Sequence, residues 1–289
     1  MSSANLLIRL APPLFVVIWA TGFIVARVVA PHAEPLTFLL VRYLLAILVL
    51  GLIVAAARAS LPRTFRDWRN SLIAGTLLHG FYLGGVFWAV KNGLPAGISA
   101  LVAGLQPLVT GILAGPLLGE TVSLRRWTGI GIGFVGASLV VLPKLGDGGV
   151  PPLALLVCLG GMLSITLGTI WQKRTGGTMD LRVNAVIQYM GAAAVTAPLV
   201  LLTEEGRMDP TLPLLGALAW AVFGLSIGAI GLLLYLIRQG AVVGVATLLY
   251  LVPPVAALMA FVLFGETLNL IQMVGMALAA LGVAVASRS

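Results

Sequence analysis

Apolar residues along this chain fall in runs of about twenty, divided by short clusters of Pro, Gly, Arg and Glu. A helix of that length crosses ~30 Å of hydrocarbon. The runs are apolar on every face, without the period-two alternation of a membrane barrel strand. Breaking at the clusters predicts ten helical spans over 10–30, 36–57, 70–90, 95–118, 125–142, 151–172, 181–202, 212–236, 241–264 and 268–287. The third-to-fourth and eighth-to-ninth connections are very tight, at Lys91-Asn92-Gly93 and Arg238-Gln239-Gly240. The expected fold class is an all-α membrane protein.

Composition supports a lipid environment. The chain is 60% hydrophobic and 9% charged with mean hydropathy +1.10, against roughly 25% charged residues in a soluble domain. Only helices and closed barrels satisfy their backbone groups in lipid. The net charge of +8 does not point to nucleic acid, because the basic residues are scattered among short inter-helix loops. Cys158 is the single cysteine, so no internal disulfide forms. The first apolar segment, after Arg9, reads as a permanent helix rather than a cleaved signal peptide. Loops on the N-terminal side of the membrane carry twelve of the 17 Lys and Arg, and the opposite loops four. Basic loops stay in the cytoplasm, so both termini are expected there, in a multi-pass protein of the cell inner membrane.

The chain also repeats itself. Residues 89–107 align with 236–254 at an offset of 147, matching Lys91 with Arg238, Gly93 with Gly240, Gly97 with Gly244 and Pro107 with Pro254. After one lost residue, Gly119-Glu120-Thr121 matches Gly265-Glu266-Thr267 at an offset of 146, as do Gly129 with Gly275 and Gly136 with Gly282. Upstream, Gly22 matches Gly168 and Tyr43 matches Tyr189. Two units follow, 1–146 and 147–289, of five spans each. An odd span number inverts the second unit in the membrane. The basic Arg63/Arg66/Arg69 loop accordingly becomes the acidic Glu204/Glu205/Asp209 loop. Inverted repeats mark secondary transporters, whose site lies near the midplane between the repeats and whose rocking gives alternating access.

The Trp19-to-Gly22 segment, the Pro35…Arg42 segment and the duplicated Pro107…Glu120 and Pro254…Glu266 motif resemble the drug/metabolite transporter superfamily, in its ten-helix EamA-type branch. Within it the chain is similar to the YddG-type exporters of aromatic and other amino acids. The resemblance covers essentially the whole chain. It implies a basket of helices around a central cavity lined by spans 1, 3, 4, 6, 8 and 9.

Polar groups inside a span are costly and usually face a cavity or a neighbouring helix. His79 and Tyr82 share a face of the third span, and His79 matches Ser226 on the eighth, which sets both beside the pseudo-twofold axis. His79 is read as a cavity residue that bonds or titrates against substrate, its rival being a bond to a neighbouring helix. Trp19, Tyr82 and Tyr250 lie too deep for an interfacial belt; they offer stacking or cation–π faces, or ordinary packing. Ser99 and Gln106 share a face of span 4. Ser164, Thr166 and Thr247 are further candidates that serve equally as interhelical glue. Arg42 is the basic residue well inside a span, where an unpaired arginine costs about 2.5–3.5 kcal/mol on insertion scales. Its position suits snorkelling and anchoring, with substrate-carboxylate contact the other reading. Glu120 and Glu266 suggest helix-end packing or gating. Pro107 and Pro254 should kink equivalent helices, as a gate or as a static bend.

The leading functional expectation is therefore a secondary transporter or facilitator of small zwitterionic or neutral metabolites, exporting amino acids. Drug or metabolite efflux is an alternative. Exchange of nucleotide sugars or phosphate esters is another, although it calls for several cavity cations. No G-x-x-x-x-G-K-[ST] motif occurs, so no ATPase partner is implied. No nucleic acid, metal or other cofactor is expected either; the expected partners are the bilayer and a small-molecule substrate. An intramembrane enzyme would need a mid-membrane Ser/His/Asp set, an H-E-x-x-H helix or paired acids, which the sequence lacks.

Overall fold

The computed structural model describes residues 3–94, 99, 102–141, 151–175, 179–239, 242–264 and 269–287. They form helices joined by short loops, with no strand among the described residues. In chain order these are α1 (Ser3–Val29), α2 (Pro35–Ala56), α3 (Phe65–Lys91), α4 (Gln106–Leu118), α5 (Leu124–Val141), α6 (Pro152–Thr175), α7 (Leu181–Thr203), α8 (Leu212–Gln239), α9 and α10 (Leu270–Ser287). Helix α9 joins Val242–Thr247, a 3₁₀ stretch Leu248–Leu251 and Val252–Phe264. Seven of the described helices are long and apolar enough to cross a membrane, and α4 and α10 are shorter apolar helices.

Capping explains where the helices begin. Helix α3 starts five residues ahead of the expected 70, because Thr64 Oγ1 accepts from the Asp67 N–H at 3.2 Å. The polar Arg66-Asp67 turn it initiates carries no hydrophobic signal. Asp180 opens α7, accepting from Arg182 N at 2.8 Å. The hydrogen-bonding Arg182 side chain holds the Asp180 carboxyl down at about 2. Pro107 stands in the first turn of α4, after a turn at 104–105, and Pro254 near the start of the last segment of α9. A proline costs little there, since a first-turn N–H has no helical partner. At Pro107 the expected mid-helix kink is thus a place where a helix restarts, whereas Pro254 follows the 3₁₀ stretch Leu248–Leu251 inside the continuous α9.

The loop after α7 is stitched to the loop before α2. The Glu204 carboxylate accepts from Leu36 N at 2.9 Å, Thr37 N at 2.7 Å and Thr37 Oγ1 at 2.8 Å, capping α2 from another part of the chain. Glu34 returns the contact, accepting from Arg207 N at 2.8 Å and Glu205 N at 3.1 Å. The Arg207 N–H in particular holds the Glu34 carboxyl below the usual carboxylate range. An Ala33–Met208 bridge completes the seam.

Two helix crossings are set by glycine. Helices α5 and α10 meet backbone to backbone. A methyl on Gly129 would stand 2.6 Å from Ala286 N and 2.7 Å from Gly282 O, and one on Gly136 would stand 2.7 Å from Gly275 O. Helices α3 and α7 cross as closely, since a methyl on Gly75 would overlap the Gln188 backbone and one on Gly191 the Leu72 carbonyl. Such approach replaces the hydrophobic drive that lipid removes.

Gly136→Leu should therefore force α5 from α10 and lower the melting temperature in detergent by more than any surface change. Glu204→Ala removes three bonds to a helix N-terminus and should cost about 1–3 kcal/mol, measurable in the same assay. The Glu34 contribution is present above the unfolded carboxylate pKa, ~4.3, and should fade as pH falls through the lower folded value.

Candidate functional site

The centre of the molecule is organised by two widened helical turns. Thr76–Phe81 within α3 and Ala221–Ala229 within α8 are π-helical, a form often found at functional sites. Each carries a buried polar residue, His79 and Ser226. A tyrosine hydroxyl donates to each of their carbonyls, Tyr43 to His79 O and Tyr189 to Ser226 O, both at 2.9 Å. The two tyrosine rings stack at 5.8 Å, and the His79 ring lies 4.8 Å from that of Tyr189.

Side chains then cross-link the turns. Arg42 Nε donates to Ser226 Oγ at 2.8 Å, while His79 Nε2 and Gln188 Oε1 lie 3.2 Å apart. Gln188 donates onward to Gln172 Oε1 at 2.6 Å. If the Gln188 oxygen accepts from His79, the histidine carries its proton on Nε2. The close α3–α7 crossing at Gly75 and Gly191 brings Gln188 within reach. Arg42 is 4% exposed and His79 1%, so Arg42 does not snorkel to a surface as anchoring would require. It turns inward.

A cavity opens beside this cluster, lined by Trp19, Gly22, Phe23 and Ala26 of α1, Arg42 of α2, Leu78, His79, Tyr82, Leu83, Val86 and Phe87 of α3, and Leu225, Ala229 and Ile230 of α8. It offers about 60 Å³ to water-sized molecules. That holds a few waters; a larger molecule needs side chains to move. Two smaller hollows continue it along α1. One, reached past Ala26 and Phe87, ends at Pro35 and Lys91. The other lies beyond Trp19, among Phe15, Gln106, Ile165, Thr169, Leu233 and Val245. Trp19, stacked on Tyr82 at 6.5 Å, and Phe87, stacked on Phe38 at 6.2 Å, are the partitions between hollows. Together the hollows draw on α1, α3, α4, α6, α8 and α9, with Arg42 and Pro35 added from α2.

The structure sorts the expected site residues. Trp19, His79, Tyr82 and Arg42 meet in the central cavity, Ser226 holds Arg42, and Gln106 lines the hollow beyond Trp19. Ser164 Oγ donates to Leu77 O at 2.9 Å, tying α6 to α3, and Thr166 bonds back to Met162 O of its own helix at 2.9 Å. Ser99 is buried beside Cys158. Thr247 is buried at the end of the first α9 segment. Tyr250 packs its ring on Gly133 of α5, away from the cavity. Glu120 follows the left-handed Gly119 cap of α4, and Glu266 lies outside the described residues. Gln172 is not among the expected site residues, because it stands at the last position of its predicted span, beside Lys173-Arg174. Gln188 is legible only through the repeat, which sets it opposite Arg42 one residue before the Tyr43–Tyr189 match.

Comparison with known proteins gives this arrangement a family. The model of the EamA-like transporter family matches the chain twice, over residues 11–142 and 152–288. The inner membrane transporter YedA of Escherichia coli K12, itself uncharacterized, is 30% identical over 260 residues, covering 89% of this chain and 82% of its own length. The uncharacterized transporter YvbV of Bacillus subtilis is 26% identical, covering 91% and 86%. A probable amino-acid metabolite efflux pump of Salmonella typhimurium is also 26% identical, covering 91% and 88%. A solved crystal structure shares the fold with a TM-score of 0.79 over 96% of both chains at 19% identity. The chain belongs to the EamA-like transporter family and is a multi-pass membrane protein.

Proposed function

We propose that this protein is a secondary transporter or facilitator that exports amino acids, passing them along α1 through the central cavity by alternating access. Two inverted units, 1–146 and 147–289, of five membrane spans each would enclose the pathway. Both termini would face the cytoplasm of the cell inner membrane.

The observation that carries this reading is a set of contacts related by the sequence repeat. Tyr43 bonding His79 O corresponds to Tyr189 bonding Ser226 O, and Arg42 on Ser226 corresponds to Gln188 on His79. Gly22 facing Leu225 corresponds to Gly168 facing Leu78. Contacts that exchange partners under the repeat, at offsets of 146 and 147, support a twofold relation whose axis runs through the polar cluster. A site on such an axis is open to either side as the halves rock. The partitions at Trp19 and Phe87 suit an occluded state, with one barrier toward each end of α1. The name of the Salmonella relative favours amino acids as cargo. The cavity agrees, since its lining is largely apolar and aromatic with a single cation, too little positive charge for a phosphate ester.

Counterflow in proteoliposomes with a panel of labelled amino acids should show exchange. If none exchanged while a phosphorylated or purely lipophilic compound did, the cargo assignment would fail. His79→Ala and Tyr82→Ala should slow exchange at least tenfold without loss of expression. For the topology, single cysteines in 58–69 and in 204–209 should react with impermeant reagent from opposite faces; labelling from one face would sink the inverted arrangement.

A further inference from the structure

Arg42 is a buried cation without a buried anion. It lies seven residues past Pro35, about 10 Å along α2, and lines the central cavity. None of the ion pairs among the described residues involves it. The described acidic residues stand at helix ends or in loops, and the nearest along α2 is Glu34, outside its first turn. A lone guanidinium in a water-poor interior is costly and draws in a counter-charge.

Its bonding leaves a specific part of it available. Nε is fixed on Ser226 Oγ at 2.8 Å. The Tyr189 hydroxyl lies alongside but is directed to the Ser226 carbonyl at 2.9 Å. Among the described residues the geometric hydrogen bond of Arg42 is the one from Nε, and the residue lines the cavity. Held at Nε, the guanidinium keeps terminal N–H donors of the kind a carboxylate takes side by side. The rest of the cavity wall is largely apolar and aromatic, Trp19, Phe23, Tyr82 and Phe87 among it, which suits an apolar or aromatic body behind one anionic head.

Resting on the transport reading above, we propose that Arg42 is the carboxylate subsite of the central cavity and that Ser226 is its positioning residue, so that the cargo class is a small carboxylate with an apolar side chain. The repeat puts Gln188 in the equivalent place, and Gln188 is already engaged by His79 and Gln172. The site is therefore one-sided: a single anionic head per cargo, docked against α2.

The test uses the full chain in proteoliposomes and, separately, in detergent. Phenylalanine, phenylalaninamide, phenethylamine and phenyl phosphate compete against labelled phenylalanine, and each is assayed for thermal stabilisation of the purified protein. The acid should compete and stabilise at concentrations at least about tenfold below those of the amide and amine, the scale of a lost charged hydrogen-bond pair. R42Q should abolish that preference, R42K should keep part of it, and S226A should weaken it. Equal potency of acid, amide and amine in the unmodified protein overturns the proposal even if R42Q fails to fold, and so does stronger action by phenyl phosphate. Exchange that persists without carboxylate preference would sink the subsite and leave the transport reading standing. Acid-specific stabilisation without any exchange would do the reverse.

Discussion

A polar group inside a membrane protein must find its partner within the protein, because hydrocarbon supplies none. The interior of this chain follows from that requirement. The widened turns at Thr76–Phe81 and Ala221–Ala229 loosen the regular helical ladder, and two tyrosine hydroxyls reach in to the carbonyls concerned. His79 Nε2, Gln188 and Gln172 then join in a string, while His79 Nδ1 has no partner among the described residues. The network fixes the relative placement of α2, α3, α7 and α8, and it leaves one charged side chain short of an ionic partner. That exception is where the cavity lies.

Much of the fold is legible in the sequence because helix ends in lipid are marked by abrupt changes of polarity. Every helix described begins or ends within a few residues of a change from apolar run to charge, Pro or Gly. The early start of α3 is instructive, since a Thr cap and a charged first turn are helical yet carry no hydrophobic signal. Likewise α6 runs on through Lys173-Arg174, where Lys173 Nζ meets the Ile237 carbonyl at 3.1 Å. Periodicity records burial in lipid. Capping records the rest.

The site was legible in part, and for a related reason. Residues whose polarity is out of place in a span, such as His79 and Arg42, announce themselves. Their orientation does not. Arg42 lies near enough to a helix end that snorkelling and cavity lining are equally compatible with the sequence, and only the bond to Ser226 separates them. Tyr82 and Tyr250 look alike in sequence, yet one borders the cavity and the other fills the space that Gly133 leaves on α5. Ser164 and Thr166 belong to helix packing, as small hydroxyls in membranes often do.

The contact between α5 and α10 bears on how such a molecule can move. Where two backbones touch through Gly129, Gly133 and Gly282, no layer of side chains lies between them to shear. Two helices joined backbone to backbone in this way are held as one unit.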